Sequence, residues 1–398
     1  MIINDKRALA YTSKILWIKP ISGADNIELI GVLGWTCIAK KGEFQIGDLC
    51  VYFEIDSKLP EAEWSEFMRS KHFKIKTMKL NKFKVISQGL ALPISIFTNI
   101  EIPQEEGIDL TAELGIVYAD DEDNKRKAAS ADKYKLMAQR RPNIFKKKWA
   151  RWMMRRNWGK KIMFFFFGKK KDKKNSWPVG VFPGVSKTDQ ERCENMPYIL
   201  ADKTPYIVTQ KCDGSSGTYI LERKGRNKFE FYVCSRNVRM LTEKQECFYG
   251  KDNYYWEVAI KYDIKNKMKK WLNANPNAKW VCWQGEICSP GIQKNPHKLT
   301  ETHFYCFHWT DNINGRLDII SADKIWKEYD MEVVPIVDTN YILPDDFNEF
   351  KASVDNIFYD AKVCEGNRDC LIEGYVYYKT TDPTFSFKNV SRTYLLNH

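Results

Sequence analysis

The chain lacks the features that mark a membrane or secreted protein. Nowhere in its 398 residues is there a run of about 18 uncharged apolar side chains, the least a spanning helix requires. Its first residues, Met1-Ile2-Ile3-Asn4-Asp5-Lys6-Arg7, do not show the charged-then-apolar layout of a secretory signal. A cytoplasmic protein with no stable membrane association is expected. The 11 cysteines are odd in number and include no Cys-x-x-Cys pair. Cys282 and Cys288, like Cys364 and Cys370, are separated by five residues, wider than the roughly two-to-four spacing of zinc ligands. Reduced, buried thiols are expected. No internal repeat is present.

What is there is enough for two or three domains: 43% of the residues are hydrophobic, sufficient to fill a core for each. The net charge of +12 is unevenly spread. Between Lys125 and Lys174 there are 20 Lys/Arg against two acids, Asp132 and Asp172, so this segment carries +18 and the rest of the chain is mildly acidic. The polyanion signal is concentrated in that segment.

Residues 1–97 alternate short β-rich runs with Gly, Asp and Pro turns: Ala10–Ile18, Ile27–Leu33, Thr36–Ala39 and Leu49–Ile55, then runs around Phe73–Thr77 and Val85–Leu92. Strands of this length and spacing suggest a small closed barrel of the oligonucleotide-binding (OB) type. From about 110 to 175 the pattern fails. Ala128–Ala138 and the basic stretch Lys146–Trp158 could be helical, separated by Arg140-Arg141-Pro142. Beyond Trp177-Pro178, β-rich runs return at Tyr206–Cys212, Gly217–Glu222, Phe229–Ser235, Trp280–Cys288, His303–Trp309, Leu371–Tyr378 and Thr384–Lys388. One strong helix is expected over Tyr254–Leu272, where Ile260, Ile264, Met268 and Leu272 recur every four residues, with weaker ones at Ala322–Tyr329 and Asp345–Val354. The expected class is α+β: an OB-like barrel over 1–110, a basic helical linker over 111–176, and a domain on antiparallel sheets over 177–398.

Lys211-Cys212-Asp213-Gly214 follows the strand-like run Tyr206–Gln210. Alone, Asp-Gly is a common turn pair. In order behind it come Ser235-Arg236-Asn237, Gln284-Gly285-Glu286-Ile287, Tyr305–Trp309, Glu373-Gly374-Tyr375-Val376 and Phe387-Lys388. This ordered set resembles motifs I, Ia, III, IIIa, IV and V of the ATP-dependent ligase and mRNA-capping superfamily. Phe182–Asn195, ahead of Lys211, resembles the lead-in of RNA ligases of the Deinococcus type. Independently, Pro20–Asp25, Gly42–Asp48, Tyr52–Ser57 and Ser87–Leu90 resemble that group's N-terminal OB domain.

The resemblance implies an ATP-dependent RNA ligase that joins 3′-OH and 5′-phosphate ends, with nicks in duplex RNA or RNA/DNA hybrid as the expected substrate and a monomer as the expected state. It implies that Lys211 bonds covalently to AMP and that Asp213, Glu286 and Glu373 gather Mg²⁺ or Mn²⁺, with Glu286 as the more suited of the two glutamates to hold the ribose instead. Lys388 would clamp phosphate, Arg236 would donate to phosphate or the ribose edge, and Phe307 would stack on adenine, with backbone around Thr209–Gln210 reading the base edge. Gly214, Gln210, Arg192 and Asn195 complete the nucleotide-binding candidates, although a helix-entry role for Arg192 and Asn195 is as consistent with the sequence. A lysine nucleophile, with a reference pKa of about 10.4, needs its proton displaced. Many such ligases carry a lysine where this chain has Ser386, which leaves the division of phosphate binding open. The alternatives are a DNA ligase, a capping-type nucleotidyltransferase, or a non-catalytic RNA-binding protein. The basic arm could bind RNA with Trp149, Trp152 and Trp158, lie on a membrane surface, or pack between domains.

Overall fold

The computed structural model describes residues 2–3, 6–119, 182, 184–236, 239–240, 253–359, 363 and 369–397, and within the basic segment 144, 147–156, 158–159, 162–163 and 166. Ala128–Ala138, Asn237, Cys247 and Cys364 lie outside the described residues.

The N-terminal part is a barrel of β1 (Ala10–Pro20), β2 (Ile27–Val32), β3 (Trp35–Lys40), β4 (Leu49–Phe53) and β5 (Leu90–Pro93), in the spatial order β5-β4-β1-β2-β3. β1 is long and bent: Ala10–Lys14 pairs with β4, and after an irregularity between Ile15 and Trp17 the remainder pairs with β2. One strand thereby serves two sheets, which is how so small a barrel turns its corner. The outer edge of β3 is taken up by the segment entering β5, through Gln88 N–H to Thr36 O at 2.8 Å and Ile38 N–H to Ser87 Oγ at 3.0 Å. Tyr11, Trp35 and Tyr52 fill the interior, with Tyr52 5.4 Å from Tyr11 and 6.4 Å from Trp35 between ring centroids. Phe73–Thr77 is not a strand; the hairpin there pairs Met78–Leu80 with Val85–Ser87.

In the basic segment α1 (Lys148–Met154) is the described helix, shorter than Lys146–Trp158. Trp149, Trp152 and Trp158 are about half exposed, and Arg156 lies over the Trp152 ring at 4.1 Å. No helix of the described residues is long and apolar enough to cross a membrane.

The C-terminal part contains β6 (Glu191–Arg192), β7 (Tyr206–Gln210), β8 (Ser215–Gly225), β9 (Lys228–Ser235), α2 (Tyr254–Lys261), α3 (Ile264–Ala274), β10 (Trp280–Cys288), β11 (His303–Asp311), β12 (Gly315–Arg316), α4 (Ile319–Lys327), β13 (Glu332–Val333), β14 (Ile336–Tyr341), α5 (Phe347–Ala352), β15 (Gly374–Lys379), β16 (Asp382–Val390) and α6 (Arg392–Asn397). One sheet has the order β6-β16-β15-β7-β14, and the other β9-β8-β10-β11-β12 with β13 added beside β11. The fold is α+β, as expected.

Three apolar layers explain the stacking. Helices α2, α3 and α4 cover the outer face of the second sheet, burying Val258, Met268, Leu272 and Trp326 against Tyr219, Trp283 and Trp309. Between the sheets lie Ile207, Tyr305, Val376 and Tyr378, with Phe307 packed beside them. Behind the first sheet, Val208, Tyr377 and Phe387 pack on Phe350 of α5.

The expected single helix over Tyr254–Leu272 is two helices, broken where Asp263 takes φ 49°. That break rotates α3 relative to α2. Ile264, Met268 and Leu272 stay buried, while Ile260, the first member of the apparent stripe, is exposed.

Candidate active site

The backbone brings Lys211 and Glu373 together before their side chains meet. Lys211 N–H donates to Gly374 O at 2.9 Å, continuing the β7–β15 ladder by one bond. The Tyr359 hydroxyl then bridges the two segments, donating to Lys211 O at 2.5 Å and accepting from Glu373 N–H at 3.1 Å. Lys211 Nζ lies 2.6 Å from Glu373 Oε2, with both side chains about four-fifths buried. Gly374, at φ 151°, passes so close to β16 that a Cβ would sit 2.1 Å from Asn389 O.

Asp213 and Glu286 complete an acidic surround. Asp213 Oδ2 accepts from the Tyr394 hydroxyl, and its carbonyl oxygen meets His297 Nε2 at 3.2 Å. Gly214 lets this turn press against β10, since a Cβ there would stand 2.4 Å from Ile287 O and 2.9 Å from Glu286 Cγ. Burial alone would lower the Lys211 ammonium, but Glu373, Glu286 and Asp213 outweigh it and hold its pKa above the ordinary lysine value. The lysine is therefore a protonated ion-pair partner in this state. Its near neighbours are acids rather than cations. Burial, reinforced by Glu373 and Asp213, raises Glu286 to about 8, and burial with Glu373 raises Asp213.

Lys388 faces the same cleft two register pairs along the sheet. It stands opposite Val376 on β15 and opposite Arg192 on the parallel strand β6. Burial, with the charges of Lys211 and Arg192, pushes Lys388 down to about 8. Ser386 is two residues deeper along β16, opposite Tyr378.

Arg192 and Asn195 sit where the barrel meets this sheet. Arg192 lies over the Trp35 ring and 3.5 Å from Glu194. Asn195 is 3% exposed; its Oδ1 accepts from Trp35 Nε1 at 2.5 Å, and its Nδ2 donates to Glu54 Oε1 at 3.0 Å and to Glu191. Its amide is committed to joining the barrel to β6. Behind it, Lys351 Nζ reaches Glu194 at 2.9 Å and Asn389 Oδ1 at 2.8 Å. The charges of Lys351 and Arg192 overcome burial and hold the Glu194 carboxyl at about 2.

Arg236, about half exposed at the end of β9, pairs with Asp189 at 2.7 Å at the rim. Phe307 enters the cleft through a β-bulge. Gly285 pairs with Cys306 and Gln284 with His308, so Phe307 is the extra residue on β11. Cys306 and Trp309 face the helices, Phe307 joins the intersheet layer, and His308 meets Phe307 and Tyr378 edge-on. The amide of Gln210 is bonded to Pro335 O and that of Lys211 to Gly374 O. These two N–H donors are engaged by neighbouring backbone.

The structure thus brings Lys211, Asp213, Glu286, Glu373 and Lys388 to one cleft, with Arg236 at its rim and Phe307 deeper inside. Tyr359, Tyr394, His297 and Asp189 were not anticipated from sequence; no short local pattern around any of them signals its distant partner. Among the described residues, no three His, Cys, Asp or Glu side chains are gathered into a ready-made metal-ligand set. The crowded carboxylates around Lys211 suit a divalent ion that keeps part of its water shell, which needs few protein oxygens.

Residues 204–391 match the family model for RNA ligase, and residues 9–94 match an OB-fold domain model. Over residues 204–391 the chain is similar to the RNA ligase family. Solved structures of the Naegleria gruberi RNA ligase are similar over nearly the whole length. A variant with ATP and Mn is 27% identical, covers 98% of this chain and 99% of that one, and has a TM-score of 0.68. Another variant, with AMP and Mn, is 26% identical, with the same coverage and a TM-score of 0.69. The complex with PPi is 27% identical and covers 99% of each chain, at a TM-score of 0.68. No curated protein sequence matches the chain. The nine described cysteines are free and buried, as expected.

Proposed function

We propose that the protein is an ATP-dependent RNA ligase that seals 3′-OH/5′-phosphate breaks, with nicks in duplexes as its substrate, and that it acts as a monomer. Residues 1–110 would be its nucleic-acid-binding barrel, 111–176 its linker, and 177–398 its nucleotidyltransferase domain. The observation that carries this reading is the 2.6 Å contact of Lys211 Nζ with Glu373 inside a ring of acids, with Lys388 facing the same cleft.

Lys211 Nζ attacks the α-phosphorus of ATP, forming a P–N bond as pyrophosphate leaves. The adenylate then passes from Lys211 to the RNA 5′-phosphate, and the 3′-hydroxyl displaces AMP to close the strand. Asp213, Glu286 and Glu373 would hold Mg²⁺ or Mn²⁺, whose charge neutralises the acids and loosens their hold on the Lys211 proton. Lys388 meets the phosphate as a point charge: burial and its neighbours Lys211 and Arg192 lower its pKa to about 8, which leaves it mostly protonated near neutral pH. Arg236 offers a forked donor at the rim. Phe307, re-aimed by the bulge, offers its face to the base.

Support for ATP and a divalent ion comes from the Naegleria enzyme, seen with ATP or AMP and Mn. Labelled ATP should give an acid-labile protein adduct that Lys211→Ala abolishes, and nicked duplexes should be sealed when the 3′-OH side is RNA. Equal sealing of all-DNA nicks refutes the RNA assignment, and absence of the adduct refutes the enzyme.

A further inference from the structure

The bulge places His308, immediately after Phe307, beside the same cleft. His308 is 3% exposed, and its two ring nitrogens have different surroundings. Nδ1 lies 3.2 Å from Gln284 Oε1. Nε2 is buried with no protein partner.

The orientation of the Gln284 amide is determined by its other contacts. Its Nε2 donates to Ser186 O at 3.0 Å and to Thr218 Oγ1 at 3.2 Å. A backbone carbonyl only accepts, so the amide nitrogen faces Ser186 and the amide oxygen faces His308. That oxygen also only accepts, which puts the imidazole proton on Nδ1. Burial, reinforced by the nearby Arg316 charge, pushes the imidazole well below its ordinary range and keeps it neutral. Nε2 is left as an acceptor lone pair.

That nitrogen is on the side of the ring away from Gln284. His308, Phe307, Tyr378 and Ile207 line a small opening between the sheets. A base stacked on Phe307 would bring its edge toward His308, whose ring centroid is 4.8 Å from that of Phe307.

We propose that His308 is the specificity-determining residue of the nucleotide site, its Nε2 accepting a hydrogen bond from the exocyclic amino group of adenine. Guanine and hypoxanthine carry a carbonyl oxygen at that position, and two buried acceptors facing one another cost binding. Gln284 is the positioning residue that sets the tautomer, and Ser186 and Thr218 hold Gln284. The inference rests on the nucleotidyl-transfer reading.

The test compares ATP, GTP and purine riboside triphosphate, which lacks the amino group, as donors for the Lys211 adduct, in wild type, His308→Ala and His308→Asn. Wild type should favour ATP over purine riboside triphosphate by about tenfold in kcat/KM, the worth of one buried hydrogen bond. His308→Ala should reduce that preference to about twofold or less. An unchanged preference in a folded variant overturns the proposal. Because a buried substitution can prevent folding, ¹⁵N spectra of the histidine rings in wild type give a second reading. The expected spectrum has one ring protonated on Nδ1 whose Nε2 signal moves with ATP and not with purine riboside triphosphate. A protonated Nε2 at His308, or equal response to both nucleotides, also overturns it. If no donor labels Lys211 while the spectra show the ATP-specific shift, the reaction is wrong and the base site stands.

Discussion

The guanidinium of Arg192 lies 5.0 Å from the ring centroid of Trp35, so an aromatic side chain of the barrel supports a cation beside Lys388. The same indole donates its N–H to Asn195. The barrel is therefore joined to the cleft through one ring with two separable contacts.

Trp35→Phe keeps a ring under Arg192 but leaves Asn195 Oδ1 without that donor, and should cost about 1–2 kcal/mol of stability. Trp35→Leu also removes the cation–π contact and should raise the apparent KM for ATP several-fold. Thermal melts and labelled-ATP titrations separate the two. Equal KM values for the variants would mean that the ring does not hold Arg192 in place.

Glu373 is the strongest of the acids that keep the proton on Lys211. Removing its charge in Glu373→Gln lowers the Lys211 pKa, so more free amine exists at any given pH. The plateau rate of adduct formation should fall, because a proposed metal-holding carboxylate is lost, yet the acid limb of the pH profile should move to lower pH. Initial rates from about pH 6 to 9 check this; a limb that stays put or moves up would assign it to another group.

The five charged residues of the cleft could be read from sequence because each lies in or beside a strand, within an ordered set of short patterns. Their partners could not. Tyr359 touches Lys211 across 148 positions, and Tyr394 touches Asp213 across 181. The inward aim of Phe307 depends on a bulge visible only in the register between β10 and β11. Strand β14 escaped notice because four of its six residues are exposed, so no alternation marks it. The break at Asp263 was hidden because Ile260 continues an apolar period that the backbone does not follow. Spacing records which residues could share a face, whereas register and φ decide which do.

Glu286 should leave a signature in stability against pH. Burial lifts its folded-state pKa to about 8, so between an unfolded value of about 4.5 and 8 the native state binds more protons than the unfolded chain. Stability from this group is complete at the acid end and falls as pH rises through that window. Glu286→Gln has no proton to lose, so its melting temperature should decline less from pH 5 to 8 than that of wild type. Parallel melting curves for the two proteins would show that Glu286 does not titrate there.

The exposed Trp149, Trp152 and Trp158, with Arg156 over Trp152, form a stacking surface in a segment where cations outnumber acids 20 to 2. Such a surface suits unpaired bases, each stack contributing on the order of 1–3 kcal/mol. Replacing all three tryptophans with alanine should weaken binding of single-stranded RNA tenfold or more, with adduct formation from ATP unchanged because none of the three lines the cleft. Replacing Lys147, Lys148, Arg151 and Arg155 with glutamine should instead flatten the salt dependence of RNA binding, since fewer counterions are released. Fluorescence anisotropy across a salt series reads both effects. Vesicle binding by wild type that the tryptophan substitutions abolish, with RNA affinity unaltered, would assign the surface to anionic lipid.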